Sequence, residues 1–335
     1  MRNNSNALTN ARKAKKDEFY TSLTDIEKEM NDYRNHFKEK TVYCNCDDPR
    51  ASKFFHYFSC NFENLGLKKL MATCYKNTSR DLFSKHDSAH GLYLEYTGDK
   101  NGSRVPDVEE IGLQQLKGNG DFRSDECIEL LKEADIVVIN PPFSLFREYL
   151  AQLIKYEKKF LIVGNVNAIT CKEIFPLIKD NKLWLGHSIS SGDREFGVPD
   201  DYPLQAAGFR VDENGKKYIR VKGVRWYTNM LHKKRNEELI LCMKYNKKDY
   251  PKYDNYDAIN VDKVKDIPKD YDGIMGVPIT FLDKYNPEQF EIVGSDYEVN
   301  MGLLSELINP HYKGKLNRGV INGKTLYARI LIRKR

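Results

Sequence analysis

The sequence predicts an α/β protein, a parallel sheet wrapped by helices and followed by a C-terminal part of different texture. Three observations lead there. Apolar β-branched runs alternate with helix-period segments from about residue 40 to 186. One of those runs, ADIVVINPPF over 134–143, is the clearest strand in the chain. After residue 187 the alternation breaks down into stretches punctuated by Gly192, Gly197, Pro199, Pro203, Gly208 and Gly215.

Taken in order, residues 1–16 hold few large apolar side chains and carry Arg2, Arg12, Lys13, Lys15 and Lys16. Such a basic arm reads as a solvated tail or as a segment lying on phosphate. Leu23, Ile26, Met30, Tyr33 and Phe37 recur at spacings of three and four, which predicts a helix over 22–38. KTVYCNCDDP (40–49) reads as a buried strand ended by Asp47-Asp48-Pro49, and 51–62 resumes helical periodicity. KKLMATCY (68–75) and GLYLEYTG (91–98) are further strands, the second followed by turn-rich DKNGSRVPD (99–107). Ser124 is the expected N-cap of a helix over 124–133, with Cys127, Leu130 and Leu131 on one face. Strand 134–143, a helix through Tyr156, strand 158–166, helix 170–180 and strand 182–186 complete the alternation. GVRWYTN (223–229) and ELILCMKYN (238–246) read as strands that close the sheet as a hairpin.

The composition bounds the function. With 335 residues the chain suits about two domains, and 40% hydrophobic residues supply a sizeable core. The 54 Lys and Arg exceed the 48 Asp and Glu by only +6, which permits nucleic-acid binding without demanding it. The seven cysteines show no zinc spacing; Cys44 and Cys46 share a strand face, and all read as reduced and structural. No run of apolar residues is long enough for a membrane span and the start has no signal-like core, so the expectation is a soluble cytoplasmic protein.

The chemistry is carried by Asn140-Pro141-Pro142-Phe143, directly behind Ile136-Val137-Val138-Ile139. In parallel sheets ligands bind beyond the carboxyl ends of the strands, where this turn falls. An exocyclic amino group on a base is a poor nucleophile, because its lone pair is delocalised into the ring. Acceptors for its hydrogens favour a more sp³-like nitrogen as the new bond forms. The side-chain oxygen of Asn140 and the carbonyl of Pro141 are such acceptors, consecutive prolines stiffen the turn, and Phe143 can stack on the base. The base must be out of the duplex, and the rest is alignment with the methyl donor. A bare four-residue match would be an ordinary turn; the buried strand in front and the helix behind favour an amino-methyltransferase. Asn with Phe points to adenine N6. N4-cytosine enzymes usually carry Ser first, and protein-glutamine methylators typically end the turn in Tyr.

With these residues in view, the chain resembles the EcoRI-type adenine-specific DNA methyltransferases, of the gamma class of amino-methyltransferases. The resemblance is strongest at KKDEFYT (15–21), VYCNCDDP (42–49), LGLKKLMATCY (65–75), GNGDFRSDECIELLKEADIVVINPPFSLF (118–146) and MGVPITFLDKYNP (275–287). It implies a class I Rossmann-like fold, S-adenosyl-L-methionine as methyl donor, double-stranded DNA as substrate, a target-recognition region behind the catalytic motif, and a monomer. No metal is implied, because the sulfonium is already activated. Phe19, Tyr20 and Thr21 match the motif at the cofactor's methionine end; their plainer reading is packing at a helix start, with Thr21 or Ser22 as the N-cap. Asp47 and Asp48, with Pro49 behind them, follow the first strand where the methionine amino group needs an anion. No glycine lies between Asp47 and Phe62, so no glycine cradle is expected, and Ser52 is the candidate substitute. Tyr75 ends the second strand, where related folds place an acid for the ribose. Asp121 and Phe122 match the pair that holds the cofactor's adenine.

The expected organisation is a basic arm (1–16), a cofactor-binding and catalytic core (17–186), closing strands with a recognition region (187–275) and a C-terminal DNA-binding or structural region (276–335). Candidate DNA-facing cations are Arg194, Arg210, Lys216, Lys217, Arg220, Lys222, Arg225, Lys233, Lys234 and Arg235. The rival readings are an N4-cytosine, RNA or protein-amide methylator, a catalytically silent DNA-binding protein, and a nuclease. The last lacks an Asp…Glu-x-Lys metal site.

Overall fold

The computed structural model describes residues 20–45, 52–75, 91–102, 106, 110–189, 193–198 and 208–335. The chain divides into two compact units, Met1–Ala168 with Ser191–Leu231, and Ile169–Ser190 with His232–Arg335.

The first unit is a mixed α/β body. Its strands are β1 (Thr41–Asn45), β2 (Lys69–Cys74), β3 (Leu92–Tyr96), β4 (Gly112–Gln115), β5 (Ile136–Ile139) and β6 (Lys159–Asn165), then β7 (Asp193–Gly197), β8 (Arg210–Val211), β9 (Lys217–Lys222) and β10 (Val224–Thr228). Its helices are α1 (Leu23–Met30), α2 (Lys53–Cys60), α3 (Phe62–Leu65), α4 (Asp125–Glu133) and α5 (Phe146–Lys155). Seven strands of this unit lie in one large sheet in the order β4-β3-β2-β1-β5-β6-β10, while β7, β9 and β8 make a separate antiparallel ribbon.

The centre of the large sheet matches the expectation. β1 pairs in parallel with β2 and β5, and β5 with β6. All five residues of β1 and all four of β5 are buried. Strands covered on both faces have no polar alternation, which is why they appear in the sequence as continuous apolar runs. The flanks correct it. β3 runs antiparallel to β2, β4 antiparallel to β3, and β10 antiparallel to β6. A parallel neighbour requires a long crossover, whereas the turn-rich link after β3 brings the chain straight back. β4 itself was absent from the expectation, because an edge strand with every residue exposed has no apolar signature.

The helix starts follow their caps. Ser22 Oγ accepts from Asp25 N at 3.1 Å, Ser52 Oγ from Phe55 N at 3.5 Å and Ser124 Oγ from Cys127 N at 3.3 Å. The expected helix 22–38 ends at Met30 and continues only as a 3₁₀ turn at Arg34–His36. Gly164 in β6 fixes how α5 lies on the sheet, because a Cβ there would collide with the Phe146 ring. The missing side chain lets Phe146, first residue of α5, pack against the strand and meet the Tyr227 ring, tilted, at 4.9 Å.

In the second unit β11 (Ile259–Asn260), β12 (Met275–Pro278), β16 (Arg329–Lys334) and β13 (Phe290–Ser295) form a four-stranded sheet in that order, and β14 (Val320–Ile321) with β15 (Lys324–Thr325) a small hairpin. The expected helix 170–180 shrinks to α6 (Phe175–Lys179), with Pro176 at its first turn; α7 spans Asp296–Asn300. Residues 238–246, expected as a strand, hold only an isolated bridge from Met243 to Pro268. The side chains of Ile240 and Met243 are exposed, so the apolar run has no sheet face to bury. Among the described residues no helix is long and apolar enough to cross a membrane.

Candidate active site

The parallel strands β2, β1, β5 and β6 end along one edge of the large sheet, and most of the described candidate residues gather there. β1 and β5 pair with Val42 opposite Ile136 and Tyr43 opposite Val137. Continuing that register brings Asn45 level with Ile139, and Asn140 stands one step beyond. Asn140 is 4% exposed and Pro141 is buried, while Pro142 and Phe143 are half-buried. The turn is closed by Leu145 N donating to Pro142 O at 2.9 Å, and α5 starts at the next residue. A stiff turn between a buried strand and a well-seated helix holds Asn140 in one place.

Two further strand ends meet this turn's support. The buried Tyr149 of α5 donates its hydroxyl to Asn45 Oδ1, and its ring meets the Phe122 ring edge-on at 5.1 Å. Gln152 Nε2, one helical turn on, donates to Phe122 O at 2.9 Å. The loop carrying Phe122 reaches the end of β2 through Gly120, at φ 77°, where a Cβ would collide with Cys74 O. Only glycine allows that approach. Tyr75 follows directly and is half exposed. Asn45, Tyr75, Phe122 and the Asn140 turn therefore share one edge, ordered by α5.

Asp121 stands beside Phe122 in a tight ion pair. Arg123 Nε donates to Oδ1 at 2.8 Å and NH2 to Oδ2 at 2.7 Å, with the Arg123 amide also on Oδ1 at 2.9 Å. The hydrogen bonds from this guanidinium hold the Asp121 carboxyl below the usual carboxylate range. A carboxylate has about four lone-pair sites, so the pair keeps Asp121 ionised and still able to accept another donor.

A second group lies around a wide cleft of about 1210 Å³ in the same unit, lined by Tyr20, Thr21, Lys53, Arg194, Lys217 and Arg220 among others. Tyr20 is bonded to the ribbon, its amide donating to Gly197 O at 2.9 Å and its carbonyl accepting from Gly197 N at 3.2 Å. Thr21 is 5% exposed, and among the described residues its Oγ1 has no hydrogen-bond partner. Ser22, not Thr21, is the N-cap of α1. Arg194 faces Asp25 at 3.9 Å. The two groups are linked through the β1–α2 connection: Asn45 ends β1 in the first, and Lys53 opens α2 in the second. Ser52 is buried as the α2 cap. Phe19, Asp47, Asp48 and Pro49 lie outside the described residues.

Of the candidate DNA-facing cations, two are structural. Arg225 is 3% exposed inside β10 and donates to Val224 O. Arg235 is 5% exposed, sandwiched by the Trp184 and Tyr285 rings and bonded to Tyr285 O and Asn181 Oδ1. Arg225 lies in a strand buried at all five residues and Arg235 in a 3₁₀ turn at Lys233–Asn236, and charge alone does not reveal such burial. Arg210 pairs with Glu195 through two bonds of 2.7 and 2.6 Å and lies over the Tyr218 ring. Sequence reasoning missed Asn45, Tyr149 and Arg123. Asn45 had a readable sign, an amide closing an apolar strand; Tyr149 had none, since a tyrosine on an apolar helix face is ordinary core. Among the described residues no cluster of His, Cys, Asp and Glu is arranged to hold a metal ion.

Comparison with known proteins agrees along the whole length. The family model described as adenine-specific methyltransferase EcoRI matches residues 7–335. The type II methyltransferase M.EcoRI of Escherichia coli is 52% identical, covering 100% of this chain and 98% of its own. The type II methyltransferases M.MgeORF184P of Mycoplasma genitalium and M.MpnI of Mycoplasma pneumoniae are 41% and 37% identical, each over 97% of both chains. No solved structure matches.

Proposed function

Because the chain belongs to the EcoRI family of adenine-specific methyltransferases, we propose that it moves a methyl group from S-adenosyl-L-methionine to the exocyclic N6 of an adenine turned out of double-stranded DNA, as the modifying half of a restriction-modification pair. The observation that carries this reading is the Asn140 turn, at the carboxyl edge of the central parallel strands and braced by α5. On this reading the large mixed sheet is a class I Rossmann-like methyltransferase sheet, and target recognition belongs to the chain behind it.

The residues present fit the cofactor. Its methionine end carries both charges, and the cleft offers both: Lys53, Arg194 and Arg220 for a carboxylate, Asp25 and Asp193 for an ammonium. Thr21, which lines the same cleft, holds a buried Oγ1 with no partner among the described residues. Phe122, gripped by Tyr149 and Gln152, is a fixed apolar surface for the adenine moiety, and Asp121 an acceptor for its amino group. Tyr75, at the end of β2, is the candidate for the ribose; Ser52, at the start of α2, is a candidate on the same side, and Asp47 and Asp48, with Pro49 behind them, are assigned to the methionine amino group on the family resemblance alone. When bound, the cofactor supplies an electrophilic methyl carbon on a sulfonium.

The chain's own part is to hold and polarise the target. Asn140 Oδ1 and the Pro141 carbonyl accept the two hydrogens of the amino group, so that the nitrogen lone pair localises as the new bond forms. The N6 proton leaves after transfer, when the amine has become acidic. Phe143 stacks on the base and keeps it in line. The base's removal from the stack costs a few kcal/mol, which stacking and phosphate contacts offset.

The test is product identity. The full-length protein is incubated with methyl-labelled S-adenosylmethionine and unmodified duplex DNA, and the DNA is digested to nucleosides. Label in N6-methyldeoxyadenosine is expected. Label in N4-methyldeoxycytidine, or transfer only to RNA or protein, contradicts the reading.

A further inference from the structure

The last 29 residues, Leu307 to Arg335, contain eight Lys and Arg and no Asp or Glu, where the chain's average would put about four acids. The first part of this stretch forms the loop and β14–β15 hairpin of the second unit. Its backbone is clamped from below by a short buried segment. Asn255, 0% exposed, accepts from Val320 N at 3.1 Å through Oδ1 and donates to Arg318 O at 2.8 Å through Nδ2. Its carbonyl takes the Asn309 amide at 3.0 Å. Asp254 donates its amide to Val320 O at 2.7 Å and accepts from Gly323 N at 2.9 Å and Asn309 Nδ2 at 2.8 Å.

The loop is thus held through its main chain while its side chains are left outside. Lys313, Lys315 and Lys324 are exposed, and none forms an ion pair with the described residues. Tyr327, three residues after Lys324, is 86% exposed, an aromatic ring left in water. Surface lysines normally stand among acids. Here a rigid frame presents cations with no internal counter-charge, together with an exposed ring. Such a frame keeps the ordering cost of binding low, and the partner it fits is a regular polyanion.

We infer that the Leu307–Tyr327 segment is a preformed phosphate-binding element for duplex DNA, with Lys313, Lys315 and Lys324 on the sugar–phosphate backbone. The inference rests on the reading of this chain as a DNA methyltransferase. It gives named contacts to the region 276–335, expected from the sequence as DNA-binding or structural, whereas two of the candidate cations of 187–275 are buried.

The experiment compares the full-length protein with two triple variants, Lys313→Ala/Lys315→Ala/Lys324→Ala and the same positions changed to Arg. Affinity for a fluorescent mixed-sequence duplex is measured across a salt series. Affinity for S-adenosylmethionine is measured separately. Each lost phosphate contact lowers the slope of log affinity against log salt by ~0.9. The Ala triple is therefore expected to lose a slope of nearly three and more than tenfold in affinity at low salt, the Arg triple to keep both, and cofactor affinity to be unchanged. An Ala triple with unaltered slope and affinity overturns the inference while the wild-type protein's own salt-dependent DNA binding leaves the enzyme reading standing. A wild-type protein whose duplex binding ignores salt sinks both. Tighter lysine-dependent binding to single-stranded RNA than to duplex DNA overturns the choice of partner.

Discussion

The two compact units secure their interiors by different means. The first rests on β1, β5 and β6, continuous apolar strands buried on both faces, with Phe146 pressed against Gly164. The second mixes its apolar core with buried polar groups: Tyr253 and Tyr256 pack at 4.6 Å, Tyr256 donates to Asp296 at 2.6 Å, Arg329 N to the same carboxylate at 2.7 Å, and Arg329 Nε to Asn260 at 3.2 Å. An apolar sheet core provides a rigid platform for chemistry at its edge. A hydrogen-bonded core holds irregular loops in fixed positions, because each buried polar group demands a particular partner.

Breaking the site at the edge of the first unit gives the largest effect. Asn140→Ala is expected to lower the rate of methyl transfer by roughly 10²–10³-fold, the scale for losing one preorganised polar contact to the reacting group. Single-turnover kinetics at saturating cofactor and DNA checks it, with the melting temperature unmoved.

The second unit is tested through its buried acid. Burial pushes the Asp296 carboxyl up to about 6, against hydrogen bonds and cations that pull it down. A folded value above the unfolded one favours the protonated form in the fold. This contribution is complete below the unfolded value near 3.8, declines as pH rises, and is gone above about 6. Relative to Asp296→Asn, the wild-type protein should lose about 2 kcal/mol of stability between pH 4 and pH 7, since each tenfold change in proton affinity between the folded and unfolded chain is worth ~1.4 kcal/mol and the unfolded carboxyl is already partly ionised at pH 4. Denaturant unfolding of both proteins at the two pH values measures it, and parallel curves would contradict it.

Gly164→Val forces a branched side chain into the Phe146 ring and should destabilise the first unit by ~1–3 kcal/mol, the usual cost of overpacking. Loss of transfer activity should accompany the lower melting temperature, since α5 braces the Asn140 turn. Thr21→Val, which keeps shape and removes the buried hydroxyl, should weaken S-adenosylmethionine binding by ~10-fold or less, the scale of one hydrogen bond. Calorimetric titration reads that change directly.

The same contrast explains what the sequence revealed. β1, β2, β5 and β6, the cap at Ser124, and the Asn140 turn were legible, because buried parallel strands and capped amphipathic helices have local signatures. Tyr75 was legible as the residue at the end of β2, and Phe122 through the family resemblance. The reversed direction of β3 and β4 was not, since direction depends on the connection and not on the strand. ELILCMKYN (238–246) misled because an apolar run looks the same whether or not it finds a sheet. The Asn255 clamp left no trace in periodicity: one buried amide amid Lys, Asp and Tyr looks like any loop residue.

On the proposed function, cofactor and target meet at the carboxyl edge of the first unit's sheet. Hydrogen–deuterium exchange with and without S-adenosylmethionine tests it most directly. Added cofactor should slow exchange in peptides covering Tyr20–Leu23, Asn45, Asp121–Ser124 and Asn140–Leu145, and leave the second unit unchanged. Protection confined to the second unit, or none at those four places despite saturating cofactor, would contradict it.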